Sequence, residues 1–153
     1  MRAWLFVIAL LPAWPALADR MPLPTDTPPA YREECGSCHL AYPPALLAAG
    51  DWQGLMRGLK SHFGSDAAVN PEIAQKLASF LTANAGNDSR NGAAGDPPRI
   101  TQTARFTRKH RKIAGRFWRD PRVRSAANCE ACHTHAADGR FSEHDITIAE
   151  LRR

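Results

Sequence analysis

Apolar side chains recur every three or four residues between positions 50 and 64, the spacing that places them on one face of an α-helix. Asp51 is suited to cap the first turn of this helix and Gly64 to end it. His62 lies on the apolar face, together with Met56. The other apolar positions of this face are Trp52, Leu55, Leu59 and Phe63. The pattern therefore predicts an amphipathic helix that turns a histidine toward the protein interior.

A second periodic stretch covers residues 99–121 and is strongly basic. The residues that share its apolar face are Phe106, His110, Ile113 and Phe117. Most of the other residues between positions 105 and 116 are Lys or Arg. We expect this helix to end at Asp120–Pro121, because the residue before a proline avoids the helical conformation. His110 is therefore predicted on the buried face of a cationic helix.

Two more helices are predicted from residues that begin and end helices. In "NPEIAQKLASFLTANAG", Asn70 is the expected N-cap, Pro71 the first helical residue and Gly86 the terminator. The apolar face of this helix consists of Ile73, Leu77, Phe80 and Leu81. An earlier helix is expected to run from Tyr31 to Leu40 and to stop at Pro43–Pro44. The chain is therefore predicted to be mostly α.

Residues 1–18 have the features of a secretory signal peptide: a basic start at Arg2, an apolar run, and the small-residue cleavage site Ala16–Leu17–Ala18. An uncleaved membrane anchor is the alternative. The apolar run is shorter than the ~20 residues that a spanning helix needs, and it is broken at Pro12. We therefore expect cleavage and export, most simply to a bacterial periplasm. Residues 19–30 then form a proline-rich leader, expected to be extended and loosely held.

Two C-x-x-C-H motifs, "CGSCH" and "CEACH", carry the candidate chemistry. This motif is the signature of covalent c-type haem attachment. Positions i, i+3 and i+4 share a helical face, so two thiols can bond to the haem while the adjacent imidazole reaches the iron. The predicted thioether residues are Cys35, Cys38, Cys129 and Cys132, and the predicted proximal iron ligands are His39 and His133.

Other uses of the four cysteines fit less well. Disulfides are compatible with export, but a disulfide framework gives no reason for a histidine after each cysteine pair. The 90 residues between Cys38 and Cys129 also exceed the gap of a four-cysteine zinc site, which is about 15–20 residues. Two covalently bound haem c groups are therefore the predicted cofactors.

Three histidines compete for the far side of the two irons. Because the core is expected to contain haem, a histidine on an apolar helical face is favoured as a ligand. His62 is thus preferred for the first haem, with Met56 as the alternative. His110 is preferred for the second haem over His144, which follows an acidic segment and is expected to be exposed. His135 is expected to face solvent.

The segment 86–98 lacks periodicity and is rich in Gly, Asn, Asp and Pro, which is typical of a loop. We place a boundary there and predict a first haem-binding unit at 31–90 and a second at 91–153. The motif comes first in one unit and last in the other. Units this small need the haem for apolar contact. We therefore expect a haem-organised helical protein, built from two cytochrome-c-type units, whose apoprotein is largely unfolded.

The sequence resembles the dihaem cytochrome c family of small exported electron carriers from about Pro28 to Ile148. The resemblance rests on "YREECGSCHLAYPPALL", "WQGLMRGLKSHFG", "PPRIT" before "FTRKHRKI", and "NCEACH" before "FSEHDITI". It implies that His39 and His62 bind one iron, and that His133 and His110 bind the other. It also implies electron transfer to a small oxygen-binding cytochrome, with a membrane b-type cytochrome as donor.

The 153-residue chain has a formal net charge of +5, and the positive charge is concentrated. Residues 99–125 hold ten basic residues and one acidic residue. Two haems bring at most four propionate charges, so part of this positive charge is expected to stay exposed and to steer an acidic redox partner. Export argues against nucleic acid as the partner of such a run. Anionic lipid headgroups are a weaker alternative.

The expected function is therefore electron transfer through two bis-histidine haems, without enzymatic activity. The alternative is a dihaem peroxidase or gas binder in which one iron is five-coordinate. A cytochrome subunit of a larger reductase has the same sequence features as a free carrier, and co-purification distinguishes these two.

Overall fold

Short helices joined by turns make up the chain, and no β-sheet occurs within residues 19–151, the part that the computed structural model describes. The α-helices are α1 (Pro29–Cys35), α2 (Ala49–Arg57), α3 (Pro71–Ala83), α4 (Asp88–Asn91), α5 (Ala104–His110) and α6 (Gly115–Trp118). Single turns of 3-10 helix lie at Pro44–Leu46, Leu59–Ser61, Ile100–Gln102, Cys129–Ala131, Ala136–Asp138, Glu143–Asp145 and Ala149–Leu151. The predicted mostly helical class is confirmed.

The predicted signal peptide, residues 1–18, lies outside the described residues. Cleavage and export therefore stay predictions. Within the described part of the chain, every helix is too short or too polar to cross a bilayer.

The helix α3 follows the sequence prediction at its start. The Asn70 side chain accepts a hydrogen bond from the N–H of Glu72, and Pro71 opens the helix. The helix ends at Ala83, however, three residues before Gly86. Gly86 is needed for a close approach: a Cβ added there would lie 2.1 Å from the carbonyl oxygen of Ala45. Glycine thus brings the end of α3 onto the chain before α2 rather than capping a helix.

The predicted helix 50–64 is shorter than expected and begins earlier. The N-cap of α2 is Ala48, so Asp51 lies inside the first turn rather than at the cap. The helix ends where Gly58 donates its N–H to the Leu55 carbonyl, because glycine disfavours continuation. His62 follows in a turn beyond the 3-10 segment Leu59–Ser61. The expectation that His62 lies on the helix is therefore wrong.

The predicted helix 99–121 is broken into α5 and α6. The break follows His110, and Ala114 takes an extended conformation with ψ 141° before α6. The change of direction lets Phe106 of α5 and Phe117 of α6 line the same cavity. Gly115 and the run of like charges beside it weaken any continuous helix.

The first predicted helix also ends early. The helix α1 stops at Cys35, and Gly36 donates its N–H to the Arg32 carbonyl. A Cβ at Gly36 would lie 2.3 Å from that carbonyl oxygen. The rest of the motif, through His39, follows as bends rather than as helix. The chain can therefore turn at the motif itself.

The helices pack around two apolar cores. The first core consists of Tyr31, Leu47, Trp52, Leu77, Phe80, Leu81 and Ala94. Its polar groups are paired, since Trp52 donates to the Pro44 carbonyl at 2.7 Å and Tyr31 donates to the Tyr42 carbonyl at 2.5 Å. The second core is smaller and consists of Phe117, Val123, Ile146 and Ile148. The unit boundaries drawn from the sequence stay predictions.

The start of the leader is fixed to the second half of the chain, contrary to the expectation of a loosely held segment. The N–H of Met21 donates to the Gly139 carbonyl at 2.7 Å, and the N–H of Phe141 donates to the Asp19 carbonyl at 2.9 Å. Gly139 has φ 70°, and a Cβ there would lie 2.4 Å from the Met21 carbonyl oxygen. Lys109 also forms an ion pair with Asp19 at 2.5 Å.

Candidate functional site

The first motif lies opposite His62. The ring centres of His39 and His62 are 6.2 Å apart, with 32° between the ring planes. Tyr42 stacks against His39, with 4.7 Å between the ring centres. Cys35 ends α1 and is half-buried, whereas Cys38 is exposed in the bend that follows. The structure thus brings together the two histidines that the sequence assigned to the first haem.

The second motif lies opposite His110. The ring centres of His110 and His133 are also 6.2 Å apart, but their planes cross at 84°. His110 is the last residue of α5, and Cys129 begins a 3-10 turn. A cavity of about 300 Å³ lies between them, with Cys132 in its wall. The second predicted pair is therefore brought together as well, around a largely apolar cavity.

Hydrogen bonds to the backbone orient two of the four imidazoles. Nδ1 of His39 is 2.8 Å from the Leu40 carbonyl oxygen, and Nδ1 of His110 is 2.9 Å from the Phe106 carbonyl oxygen. An Nδ1–H that donates to a carbonyl leaves the Nε2 lone pair free for a metal. Nδ1 of His133 is buried and has no hydrogen-bond partner among the described residues. The backbone of Ser142 raises the pKa of this imidazole, but burial and the neighbouring His110 lower it by more.

The surroundings of His62, His110 and His133 favour the neutral imidazole, because they lower the pKa of each of these side chains. Burial lowers the pKa of His62, and the neighbouring His39 and Arg99 lower it further. Burial also lowers the pKa of His110, partly offset by its bond to the Phe106 carbonyl. For His133, burial and then His110 lower the pKa. Neutral imidazole is the form that binds a metal ion, so the sites favour the ligating state.

The residues present fit a haem at each site. An imidazole nitrogen binds a metal ion at about 2.0–2.1 Å, so two imidazoles on opposite sides of one ion have ring centres about 6 Å apart. Both histidine pairs have this separation. Burial raises the pKa of the Cys35 and Cys129 thiols to about 11, which keeps them protonated until they react. Paired thiols beside paired imidazoles are the donor set of covalently attached haem.

The competing residues lie elsewhere. Met56 packs against the first core as an apolar side chain. His144 is exposed and its N–H donates to the Ser142 hydroxyl. The adjacent Glu143, but not His144, is among the described residues that line the cavity between His110 and Cys129. The His135 side chain is 49% exposed and pairs with Asp138. His135 and His144 are therefore exposed, as expected, and Met56 packs as an apolar side chain.

Sequence reasoning missed one residue that joins the two sites. Tyr42 stacks on His39, and its hydroxyl donates to the carbonyl of Ala127 at 2.6 Å, two residues before Cys129. Burial raises the pKa of the Tyr42 phenol, so the hydroxyl stays a donor. Its position three residues after His39 was the available signal, but the contact with Ala127 spans 85 residues and has no local pattern.

Comparisons with a protein-family description and with solved structures point to the same family. Residues 31–141 match the family described as Dihaem cytochrome c. A solved diheme cytochrome c from Shewanella baltica OS155 is 36% identical, with a TM-score of 0.68, over 77% of this chain and 89% of that one. A DHC from Rhodobacter sphaeroides is 42% identical, with a TM-score of 0.66, over 75% of this chain and 97% of that one.

A second Rhodobacter sphaeroides structure, a diheme cytochrome c, is 40% identical with a TM-score of 0.67, over 76% of this chain and 98% of that one. A comparison with curated proteins found no match. The family match covers more than half of the chain and includes both C-x-x-C-H motifs. The chain therefore belongs to the dihaem cytochrome c family and carries two covalently bound haem c groups.

Proposed function

We propose that this protein is an electron carrier in which two histidines bind each haem iron. His39 and His62 hold the first iron, and His133 and His110 hold the second. The covalent bonds are made by Cys35, Cys38, Cys129 and Cys132. The observation that supports this most directly is the 6.2 Å separation of the ring centres in both histidine pairs. When bound, each haem supplies one reversible ferrous–ferric electron step.

The protein side chains make electron transfer the favoured chemistry. A histidine on each side of the iron leaves no position for a substrate or for peroxide. Backbone carbonyls orient His39 and His110, so little rearrangement accompanies a change of iron charge. The reduction potentials are expected below those of His/Met haems, because methionine ligation raises the potential. Tyr42 shortens the path between the sites by contacting His39 and the chain before Cys129.

The test is the spectrum of the purified holoprotein, oxidised and reduced, with and without carbon monoxide. We expect low-spin bands in both states and no change on addition of the gas, because both irons are six-coordinate. A high-spin component or a carbon monoxide complex in the unmodified protein would contradict bis-histidine ligation. The dihaem peroxidase or gas-binding function would then take precedence.

Electron paramagnetic resonance of the ferric protein should resolve the two haems. Nearly parallel imidazole planes separate the energies of two iron d orbitals, whereas crossed planes leave those energies close. The first pair of rings is 32° from parallel and the second pair crosses at 84°. We therefore expect two low-spin signals, with the larger maximum g value from the second haem.

We also propose that an acidic haem protein docks beside the second haem, in the periplasm. A group of exposed cations, here called the basic surface, surrounds the end of α5 and α6 and consists of Arg108, Arg111, Lys112, Arg116 and Arg119. Lys112 also lines the cavity between His110 and Cys129. Such a surface attracts an anionic partner toward the His110 side of the protein. A soluble oxygen-binding cytochrome would be the acceptor, and a membrane b-type cytochrome the donor.

The rate of reduction by photogenerated flavin semiquinones measures the electrostatic attraction of the basic surface without the need for an identified partner. Reversing Arg111 and Lys112 to glutamate should slow reduction by anionic flavin mononucleotide about tenfold at low salt. Reduction by uncharged riboflavin should change little. A matched double reversal, Lys60→Glu with Lys76→Glu, changes the net charge equally away from the basic surface. Equal effects of the two double variants, or no dependence on ionic strength, would contradict steering by the basic surface.

A further inference from the structure

The distal histidine of the first site stands on a tight turn. The N–H of Ser65 donates to the His62 carbonyl at 3.1 Å, which closes a turn of four residues. Phe63 and Gly64 at its centre both have positive φ, 50° and 97°. Glycine adopts such values freely, whereas phenylalanine rarely does. A strained residue of this kind persists when surrounding contacts hold it in place.

Arg99 provides such a contact. Its guanidinium carbon lies 4.0 Å from the centre of the Phe63 ring, which is itself 4.7 Å from the His62 ring centre. A guanidinium over an aromatic face is attracted by the negative charge density of the ring. Phe63 is 41% exposed, so packing alone holds it weakly. The aromatic ring therefore connects a cation to the distal histidine.

The backbone fixes Arg99 in this position. Its N–H donates to the Ala94 carbonyl at 2.6 Å. The preceding Pro98 lies against α2, since a Cβ added at Gly54 would be 3.7 Å from its Cγ. Arg99 thus approaches the His62 turn from the far end of the 86–98 segment, as part of an ordered loop.

The distal histidine of the second site is held differently. His110 belongs to α5, and its Nδ1 is bonded to the Phe106 carbonyl. The rings of Phe106 and Trp118 lie 4.0 Å and 5.8 Å from the His110 ring. A helix, a hydrogen bond and two aromatic contacts therefore position His110. For His62, the ring contacts within the described residues are those with His39 and Phe63.

We propose that Arg99, acting through Phe63, is a positioning residue that keeps His62 on the first iron. This inference rests on the proposed bis-histidine function. It identifies His62 as the distal ligand that is held by fewer contacts than His110. Weakening the contact raises the fraction of protein in which His62 has left the iron. A small anionic ligand that binds ferric haem, such as cyanide, then enters the first site while the second stays closed.

The experiment measures cyanide binding to the ferric holoprotein in four variants: Arg99→Gln, Arg99→Lys, Phe63→Leu and the double variant Arg99→Gln/Phe63→Leu. We expect Arg99→Gln and Phe63→Leu each to bind cyanide about two- to fivefold faster, the factor that corresponds to an exposed cation–π contact. Arg99→Lys should retain most of the slow binding. The double variant should match the single variants, because both remove one interaction. Lys76→Gln, on the exposed face of α3, is the charge control.

Electron paramagnetic resonance then identifies the haem that has changed. Cyanide should replace the signal of the first haem and leave the larger-g signal of the second haem intact. Wild-type rates in Arg99→Gln and Phe63→Leu, or additive effects in the double variant, would overturn the inference while bis-histidine ligation stands. A high-spin first haem in the wild-type protein would instead refute the proposed function. Melting curves of every variant exclude general unfolding as the cause of faster binding.

Discussion

Replacing His110 with alanine is expected to open the second iron and convert it to a high-spin, gas-binding centre. The alanine methyl group cannot reach the iron, and α5 offers no other donor at that position. Phe106 and Trp118, which contact the His110 ring, would border the space that it leaves. That space is apolar and suits carbon monoxide. Ferrous His110→Ala should therefore bind one equivalent of the gas per protein, whereas the wild-type protein should bind none.

His144→Ala is the matched control, because His144 was the competing ligand in the sequence. His144 is exposed, so its removal should leave both low-spin signals unchanged. The spectra before and after addition of carbon monoxide provide the measurement. If His110→Ala stayed low-spin and His144→Ala bound the gas, the ligand assignment of the second haem would have to be exchanged.

Replacing both Cys129 and Cys132 with serine is expected to remove one haem and to unfold much of the second half of the chain. Its core contains four buried apolar residues, and α5 and α6 are seven and four residues long. Helices this short do not form without tertiary contacts. An empty cavity of about 300 Å³ would cost at most about 7 kcal/mol. That cost is comparable to the whole stability of a small domain, about 5–15 kcal/mol.

Mass spectrometry of the intact chain counts the haems, and circular dichroism measures helix content and cooperative melting. His135→Ala is the control, because it changes a histidine two residues beyond the motif without affecting attachment. The thirteen-residue α3 and the larger first core should retain more structure than the second half. Native-like helix content and an unchanged melting transition in the double serine variant would show that the polypeptide folds without its second haem.

Local sequence signals predicted the elements that depend on local interactions. The start of α3 is an example, because the Asn70 cap and Pro71 act within one turn of backbone. The helices around His62 and His110 were predicted too long. Their apolar spacing continues past both breaks, but Gly58 ends α2 through its low helix propensity, and the extended Ala114 separates α5 from α6. Hydrophobic spacing alone does not predict where the chain changes direction.

The candidate sites divide in the same way. The cysteines and the adjacent histidine of each motif could be predicted from spacing, because in the proposed sites one haem contacts all three side chains within five residues. His62 was selected because of an apolar helical face, yet it lies on a turn, where the Phe63 ring contacts it and Arg99 contacts the Phe63 ring. The sequence therefore indicated the right neighbour of His39 for a local reason that the fold does not support.

The sequence by itself determined that two haems are attached, that the chain is mostly helical, and that positive charge is concentrated between residues 99 and 125. These properties depend on residue type and on short spacing. The tertiary structure decided which histidines face each other, how their ring planes are oriented, and that Tyr42 and Arg99 contact the first site. These features join residues that are distant along the chain. Their geometry depends on how the whole chain packs, which no local pattern encodes.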